Sequence, residues 1–357
     1  MTHWHEALST RGASFDGSVV SGFGDPAAEF AAARDAAALC DLAPVAALRI
    51  AGPDAEAFLQ GQFTNDVSAL APGATQYSAW CSPKGRVLAN FLLRRIDATS
   101  FELLLPAPLL APIRKRLGMF VLRAKVALDD ASATSVRIGI AGPAARQAVE
   151  SLGVGAPPMY RSVALTGGAL FQVPGRRFVV IVAPESAASC WDRLAERARP
   201  AGFECWRWLT IRAGVPVILP ATQDQFIPQA INLDALAGVS FQKGCYTGQE
   251  IVARTQYLGR LKERMVLAHA EATTIAPGTR LFNSSFGDQP CGSLLNAASA
   301  PGGGTDFLAV CQVAASASGD VRLGAADGVP LSLLPLPYEL PASSGAARVH
   351  RSTLNRP

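Results

Sequence analysis

"KGCYTGQE", residues Lys243 to Glu250, sets one cysteine between a Lys-Gly pair and a Gly-Gln-Glu triplet, in a chain otherwise poor in reactive groupings. Thr247-Gly248-Gln249-Glu250 fits the S/T-x-x-E capping box, in which the hydroxyl accepts from the N3 amide and the glutamate reaches back to the cap amide. The pattern predicts a helix starting at Gly248. Cys245 then lies two residues before the cap, near the positive end of the helix dipole, with Lys243 as a nearby cation. Both effects favour thiolate over thiol. Gly244 and Gly248 leave the backbone open to the approach of another molecule. The competing reading is a buried, inert cysteine, because free cysteine is among the most interior residue types. Tyr246 is expected to pack rather than react.

Around this stretch, several chemistries drop out. No histidine lies close in sequence to serve Cys245 as a base, so a Cys/His hydrolase is unsupported. Neither a G-x-x-x-x-G-K-[ST] loop nor a complete G-x-G-x-x-G after a strand is present, which removes phosphate-cradling nucleotide folds. The chain has 357 residues, 49% of them apolar and 17% charged, and exceeds one typical domain of ~100–200 residues. A net charge of +4 without a long basic block argues against a dedicated nucleic-acid binder. Arg114-Lys115-Arg116, the densest basic run, reads as the wet face of an amphipathic helix. Met1 to Glu6 lacks the basic-then-apolar order of a secretory signal, and no apolar run approaches the ~20 residues of a membrane span. The seven cysteines are scattered and never in C-x-x-C spacing, a pattern that fits reduced thiols better than a disulfide framework or a zinc site. A cytoplasmic location without membrane association is therefore expected. His3 and His5 read as surface groups and His269 and His350 are isolated, so no metal site is expected.

One internal echo organises the chain. Leu48-Arg49-Ile50-Ala51-Gly52-Pro53 followed by 54–59 resembles Ile138-Gly139-Ile140-Ala141-Gly142-Pro143 followed by 144–149, 90 positions later. Both read strand, tight turn, helix, with proline tolerated in the first helical turn. Val87–Ile96 and Phe101–Leu105 read as a hairpin with Asp97–Ser100 as the turn. Arg177–Val182 reads as a strand and Ser186–Arg199 as a helix. Beyond about Leu261, short apolar runs separated by Pro, Gly, Ser and Asp predict a small β-barrel or sandwich. The expected organisation is α+β: a first domain over 1–135, interleaving with the next left open, a second over 136–258, a barrel over 259–341 and a disordered tail over 342–357.

The octapeptide Lys243–Glu250 is identified as the signature of the YgfZ family of folate-binding proteins. Ile211-Arg212-Ala213-Gly214-Val215-Pro216, Phe226-Ile227-Pro228-Gln229, Asn232-Leu233 and Phe58–Val67 resemble its flanking segments, and the resemblance runs from about Leu42 to about Leu340. It implies the fold of the glycine-cleavage T-protein: two related ferredoxin-like or T-protein-like α+β domains around a central folate pocket, plus a C-terminal antiparallel β-barrel. It also implies tetrahydrofolate as cofactor and a role in assembling or maintaining 4Fe-4S proteins, including radical enzymes that thiolate tRNA. Iron-sulfur client or assembly proteins are the partners that follow. Folate-dependent aminomethyl or one-carbon transfer is the alternative. The family's cysteine falls on Cys245 and a folate-stacking tryptophan on Trp206, while Val45 replaces a second aromatic. In the aminomethyltransferases an aspartate of a G-G-x-x-D-D stretch contacts folate and assists proton movement; Ala89 and Asn90 stand where the carboxylates would be, so that general acid/base is missing. Asp66 or Asp224 would have to replace it, although the better reading of either is a loop cap or turn former. With Trp206, the expected folate contacts are Asn90, Arg212, Gln229 and Arg254. Lys243 and Arg254 suit the glutamate tail or a solvated surface, and Arg212 suits a carboxylate or an internal ion pair. A single cysteine cannot hold a 4Fe-4S cluster, which takes about four thiolates, so any transient cluster would be shared with a partner.

Overall fold

The Gly-Pro echo marks the centre of each of two sheets. The computed structural model describes residues 2–257, 259, 261–272 and 275–341; the tail expected over 342–357 lies outside them. The chain begins with α1 (Thr2–Ser9), the hairpin β1 (Ser14–Asp16) and β2 (Val19–Gly22), α2 (Pro26–Asp35) and β3 (Ala38–Asp41). A first run follows, of β4 (Val45–Ala51), α3 (Ala55–Gln60), β5 (Thr75–Cys81), β6 (Val87–Arg95), β7 (Ser100–Pro106), α4 (Ala107–Gly118) and β8 (Ala127–Asp130). The same order recurs in β9 (Val136–Ala141), α5 (Ala145–Glu150), β10 (Ser162–Leu165), β11 (Gly168–Val173), β12 (Arg177–Val182), α6 (Pro184–Ala195) and β13 (Arg199–Ala201). The first sheet is ordered β5-β6-β7-β4-β8 and the second β10-β11-β12-β9-β3-β13.

The two units exchange strands. β3, which precedes β4 in the chain, pairs antiparallel with β9, and β8, which precedes β9, pairs antiparallel with β4. The registers correspond: Ala51 faces Ala127 as Ala141 faces Ala38. A single cut near residue 135 therefore does not separate the units, because 2–41 belong with the second sheet. Trp4, Leu8, Val20 and Leu39 share a core with Ile138, Ile140, Phe178 and Trp191.

Both echo glycines are required by the exchange. Gly52 has φ +144° and Gly142 φ +120°. A Cβ on Gly52 would fall 2.0 Å from Lys125 O, just before β8, and one on Gly142 would fall 2.6 Å from Ala36 O, just before β3. The prolines sit one residue before the caps, Asp54 and Ala144, and therefore two before the first helical turn. The helix expected over 186–199 starts at Pro184 and ends at Ala195, because 199–201 is drawn into parallel pairing with β3. Arg114, Lys115 and Arg116 lie exposed on α4, whose Leu109, Ile113 and Leu117 face the core.

α7 (Phe203–Arg212) and α8 (Gln249–Tyr257) lead to a third sheet: β14 (Glu263–Ala270), β15 (Arg280–Asn283), β16 (Gly292–Ser299), β17 (Thr305–Gln312), then α9 (Val313–Ser318), β18 (Val321–Leu323), β19 (Val329–Pro330) and β20 (Ser332–Leu334). Its order is β19-β18-β15-β16-β17-β14-β20. β19 and β20 are two halves of one segment around Leu331, pairing with β18 and β14 at opposite edges. The antiparallel barrel is thereby nearly closed.

Because both glycines combine positive φ with backbone contact, Gly52→Ala and Gly142→Ala are each expected to lower unfolding free energy by roughly 2–4 kcal/mol. Gly244→Ala, where a Cβ would meet open space, should stay within about 0.5 kcal/mol. Urea unfolding followed by circular dichroism separates the two outcomes.

Candidate functional site

A cavity of about 470 Å3 lies where the two sheets, α7, the 215–219 segment and the barrel meet. Its wall is largely apolar, with Leu42, Val45, Leu104, Val173, Val179 and Ile211 among the lining residues. Trp206 lies on α7 against β9, where Gly139 makes room: a Cβ there would be 2.6 Å from Trp206 Cε3. Asn90 also lines the cavity, but its amide is engaged, donating to Pro216 O at 2.7 Å and accepting from Ile218 N at 2.8 Å. Asn296, turned inward beside a bulge in β16, clamps Val217 in the same way, at 2.8 and 2.7 Å. Two carboxamides thus pin one extended segment as a cavity wall. Asn90 is accordingly a wall-former, with one N–H and its carbonyl oxygen engaged by the segment that it holds.

Sequence reasoning missed Asn296, Tyr77, Arg137 and Arg177, all of which line the cavity. Arg177 carried a signal: it heads the otherwise apolar strand Phe178–Val182. The others carried none, since their placement depends on pairing across sheets.

Cys245 is not among the residues that line the cavity. The motif loop is held elsewhere. Lys243, a residue only 8% exposed, donates from Nζ to the carbonyls of Gln60 and Phe63 at 2.6 Å each and Asn65 at 3.0 Å. Nζ also lies 5.2 Å from the ring centre of buried Tyr246. Burial pulls its pKa down to about 8 against the opposing charge of Asp66, while three carbonyls match the three donors of an ammonium. Lys243 is therefore an anchor between 58–67 and 243–250, engaged in its own contacts instead of serving a ligand.

The capping box is not formed either. Gly248 adopts φ +83°, so the helix begins at Gln249, and neither Thr247 nor Glu250 makes the reciprocal bonds. Gly248 instead meets the β5–β6 turn, where a Cβ would fall 2.4 Å from Ser82 O. Cys245 stands exposed, beside a Gly244 that borders open space.

Three further expected folate contacts also lie off the cavity lining. Gln229 is buried and ties Nε2 to Val252 O at 2.8 Å, holding α8. Arg254 is exposed on α8. Arg212 joins a polar cluster on the barrel, 3.5 Å from Asp306, whose carboxylate also accepts from Trp208 Nε1 at 2.9 Å and pairs with His269 Nδ1 at 2.8 Å. Asp66 accepts from Gln60 Nε2 and the amides of Ser68 and Ala69, and Asp224 from the Ser82 hydroxyl. Both are turn-formers, and among the described residues no Asp or Glu is on the cavity lining.

Two interleaved α+β units, a central cavity and a nearly closed barrel define the aminomethyltransferase T-protein fold. The aminomethyltransferase T of the glycine cleavage system from Bartonella henselae superposes with a TM-score of 0.75 at 16% identity, over 94% of this chain and 96% of that one. Residues 10–157 match the GCV_T family model, the GCVT N-terminal domain. The tRNA-modifying protein YgfZ of Pectobacterium atrosepticum is 32% identical over 318 residues, covering 87% of this chain and 94% of the relative. The tRNA-modifying protein YgfZ of Escherichia coli K12 is 36% identical over 250 residues, covering 69% and 76%. The chain belongs to the YgfZ family.

Lys243→Met is expected to cost roughly 2–4 kcal/mol of stability, since three carbonyls lose their donor; Lys243→Arg should not rescue it, because a planar fork cannot replace a point charge. Urea titration with limited proteolysis around 240–248 reads both. His269 yields a pH prediction. The Asp306 hydrogen bond, then Glu271, raises its pKa, so the folded state binds the proton more tightly than the unfolded one. Its stabilisation is whole below the unfolded value of about 6.5 and lost as pH rises through the higher folded value. The melting-temperature gap between wild type and His269→Gln should be widest near pH ~6 and close towards pH ~9.

Proposed function

We propose that this protein is a folate-binding accessory factor for tRNA modification that serves iron-sulfur enzymes, with tetrahydrofolate as the cavity ligand and Cys245 as the contact to the client. The cavity carries this reading. Its volume of about 470 Å3 lies within the ~300–1,000 Å3 of small-molecule sites, and its apolar wall with Trp206 and Tyr77 suits a flat heteroaromatic ring. The relatives named tRNA-modifying protein support the process.

Cys245 is the group fitted for contact with another protein. Among the described residues it alone of the seven cysteines is exposed. Burial holds the others as thiols, pushing Cys190 up to about 11 and Cys205 and Cys311 up to about 12. One thiolate is too few for a 4Fe-4S cluster, and no group of three or more His, Cys, Asp or Glu among the described residues converges to hold a metal. Any iron or cluster that meets Cys245 is then the client's cargo. A one-carbon transferase is the weaker reading, because the cavity lining offers no carboxylate for proton transfer.

Tetrahydrofolate should quench tryptophan fluorescence saturably, with much of the change lost in Trp206→Phe. Cys245→Ala should melt like wild type and bind tetrahydrofolate equally, yet fail to support tRNA thiolation in folate-replete cells. Iodoacetamide should alkylate Cys245 before any other cysteine of the native protein. Absence of saturable quenching would overturn the folate assignment, and full thiolation by the alanine variant would overturn the role of the sulfur.

A further inference from the structure

From Leu103 to Leu128 the chain carries five cations, Arg114, Lys115, Arg116, Arg123 and Lys125, and no acidic residue. All five are exposed, and among the described residues none takes part in an ion pair. The same stretch holds three large apolar side chains in solvent: Met119 is 64% exposed, Phe120 41% and Leu122 88%. Single apolar side chains are ordinary on a surface, whereas a group of them rimmed by charge marks an interaction site.

The ridge is firmly built. Leu122 holds φ +47°, a left-handed conformation that a bulky residue keeps only where its surroundings impose it. The turns after α4 are closed by bonds from Met119 N to Arg116 O at 3.2 Å, Phe120 N to Leu117 O at 3.0 Å and Ala124 N to Val121 O at 2.8 Å. Lys125 N donates to the Asp54 carboxylate at 2.7 Å. Beneath them, buried Trp80 meets Phe120 edge-on with 5.8 Å between ring centres, and the Arg116 guanidinium lies 5.8 Å from the same ring. Trp80 belongs to β5, and Ser82, two residues on, is the residue that Gly248 of the motif loop meets. One hairpin therefore braces both the ridge and the Cys245 loop.

We propose that residues 114–125 are the docking surface for the protein that meets Cys245, whose own surface offers Met119 and Leu122 an apolar socket inside an acidic rim. Five cations without ion pairs attract a negative surface and repel a positive one. The same repulsion disfavours a second copy of this chain, whose ridge carries the same sign. An RNA backbone would engage the cations and leave Met119 and Leu122 in water. A protein covers both kinds of group, as interfaces with an apolar centre and a charged rim do. A lipid surface would cover both as well, and the shared hairpin decides against it, because the sulfur braced there is the contact to a client protein. The docking role thus rests on that reading of Cys245 and adds to it the chemistry of the client's surface.

The test puts photoreactive p-benzoylphenylalanine in place of Leu122 in the full-length chain in living cells, with the same group in place of exposed Ala325, between β18 and β19, as control. In parallel, wild-type chain labelled on Cys245 with a maleimide-diazirine is photolysed in extract of the same cells. Positions 122 and 245 should trap the same polypeptide, at 122 through a segment rich in Asp and Glu, and position 325 should not. Once purified, that polypeptide should bind Leu122→Asp and the double variant Lys115→Glu/Arg123→Glu at least about 10-fold more weakly than wild type by calorimetry. Leu122→Asp should melt within about 2 °C of wild type, which separates lost binding from lost folding. A polypeptide trapped at Cys245 but not at 122 overturns the docking role and leaves the Cys245 reading standing; none trapped at either position overturns both. RNA, lipid or a second copy trapped at 122, a different polypeptide at each position, or a partner that binds both variants as tightly as wild type also overturns the docking role.

Discussion

The constraint on which the rest depends is the reciprocal exchange of β3 and β8. Each sheet takes a strand from the stretch of chain leading into the other, so neither completes its hydrogen-bonded ladder alone. An unfilled strand position would leave a row of unpaired amides and carbonyls. Exchange also fixes the sheets relative to one another more tightly than a flexible linker could. The glycines at 52 and 142 admit the incoming backbone at equivalent points. A cavity between two sheets keeps its shape only when they cannot slide, and exchanged strands provide that rigidity.

Upon this frame, the β5–β6 hairpin serves two places. Its strands give Tyr77, Asn90 and Leu92 to the cavity, while its turn receives Gly248. The motif loop is then fastened by the neighbours of its cysteine: Lys243 is anchored on three carbonyls and Tyr246 is buried, leaving Cys245 facing solvent. Exposed sulfur on rigid backbone is a good arrangement for meeting another protein, because little ordering entropy remains to be lost on contact.

The buried and half-buried cations are satisfied by different means. Lys243 has backbone carbonyls, Arg137 has the carbonyls of Ser132 and Ser135 at 3.0 and 2.9 Å, and Arg264 has Asp234 in a bidentate pair at 2.7 and 2.8 Å. Arg177 has the face of Trp206, the carbonyl of Pro174 and the hydroxyl of Thr210. Around the cavity, aromatic and carboxamide side chains join Arg137 and Arg177 and, among the described residues, no carboxylate does.

Much of the architecture was legible in the chain because its signals are local. A strand closed by Gly-Pro and followed by a helix reads the same at 48–59 and 138–149, and alternating apolar runs with polar turns disclose the hairpin and the barrel. The octapeptide identified the family, since a motif of that length seldom arises by chance. Local reading failed where a distant partner decided the outcome: 199–201 became a strand because β3 was there to pair with it, and the capping box gave way because Gly248 had to meet Ser82. Arg212, Gln229 and Arg254 looked like ligand contacts by residue type, yet the fold gave Arg212 and Gln229 to Asp306 and Val252 and left Arg254 on the surface. By itself the sequence determined which segments become strands and helices and which cysteine stands in the motif, since both follow from neighbours along the chain. Only the tertiary structure decided that Lys243 anchors, that Cys245 stands apart from the cavity, and that Arg177 is sealed against Trp206, because each depends on groups brought together from far along the sequence.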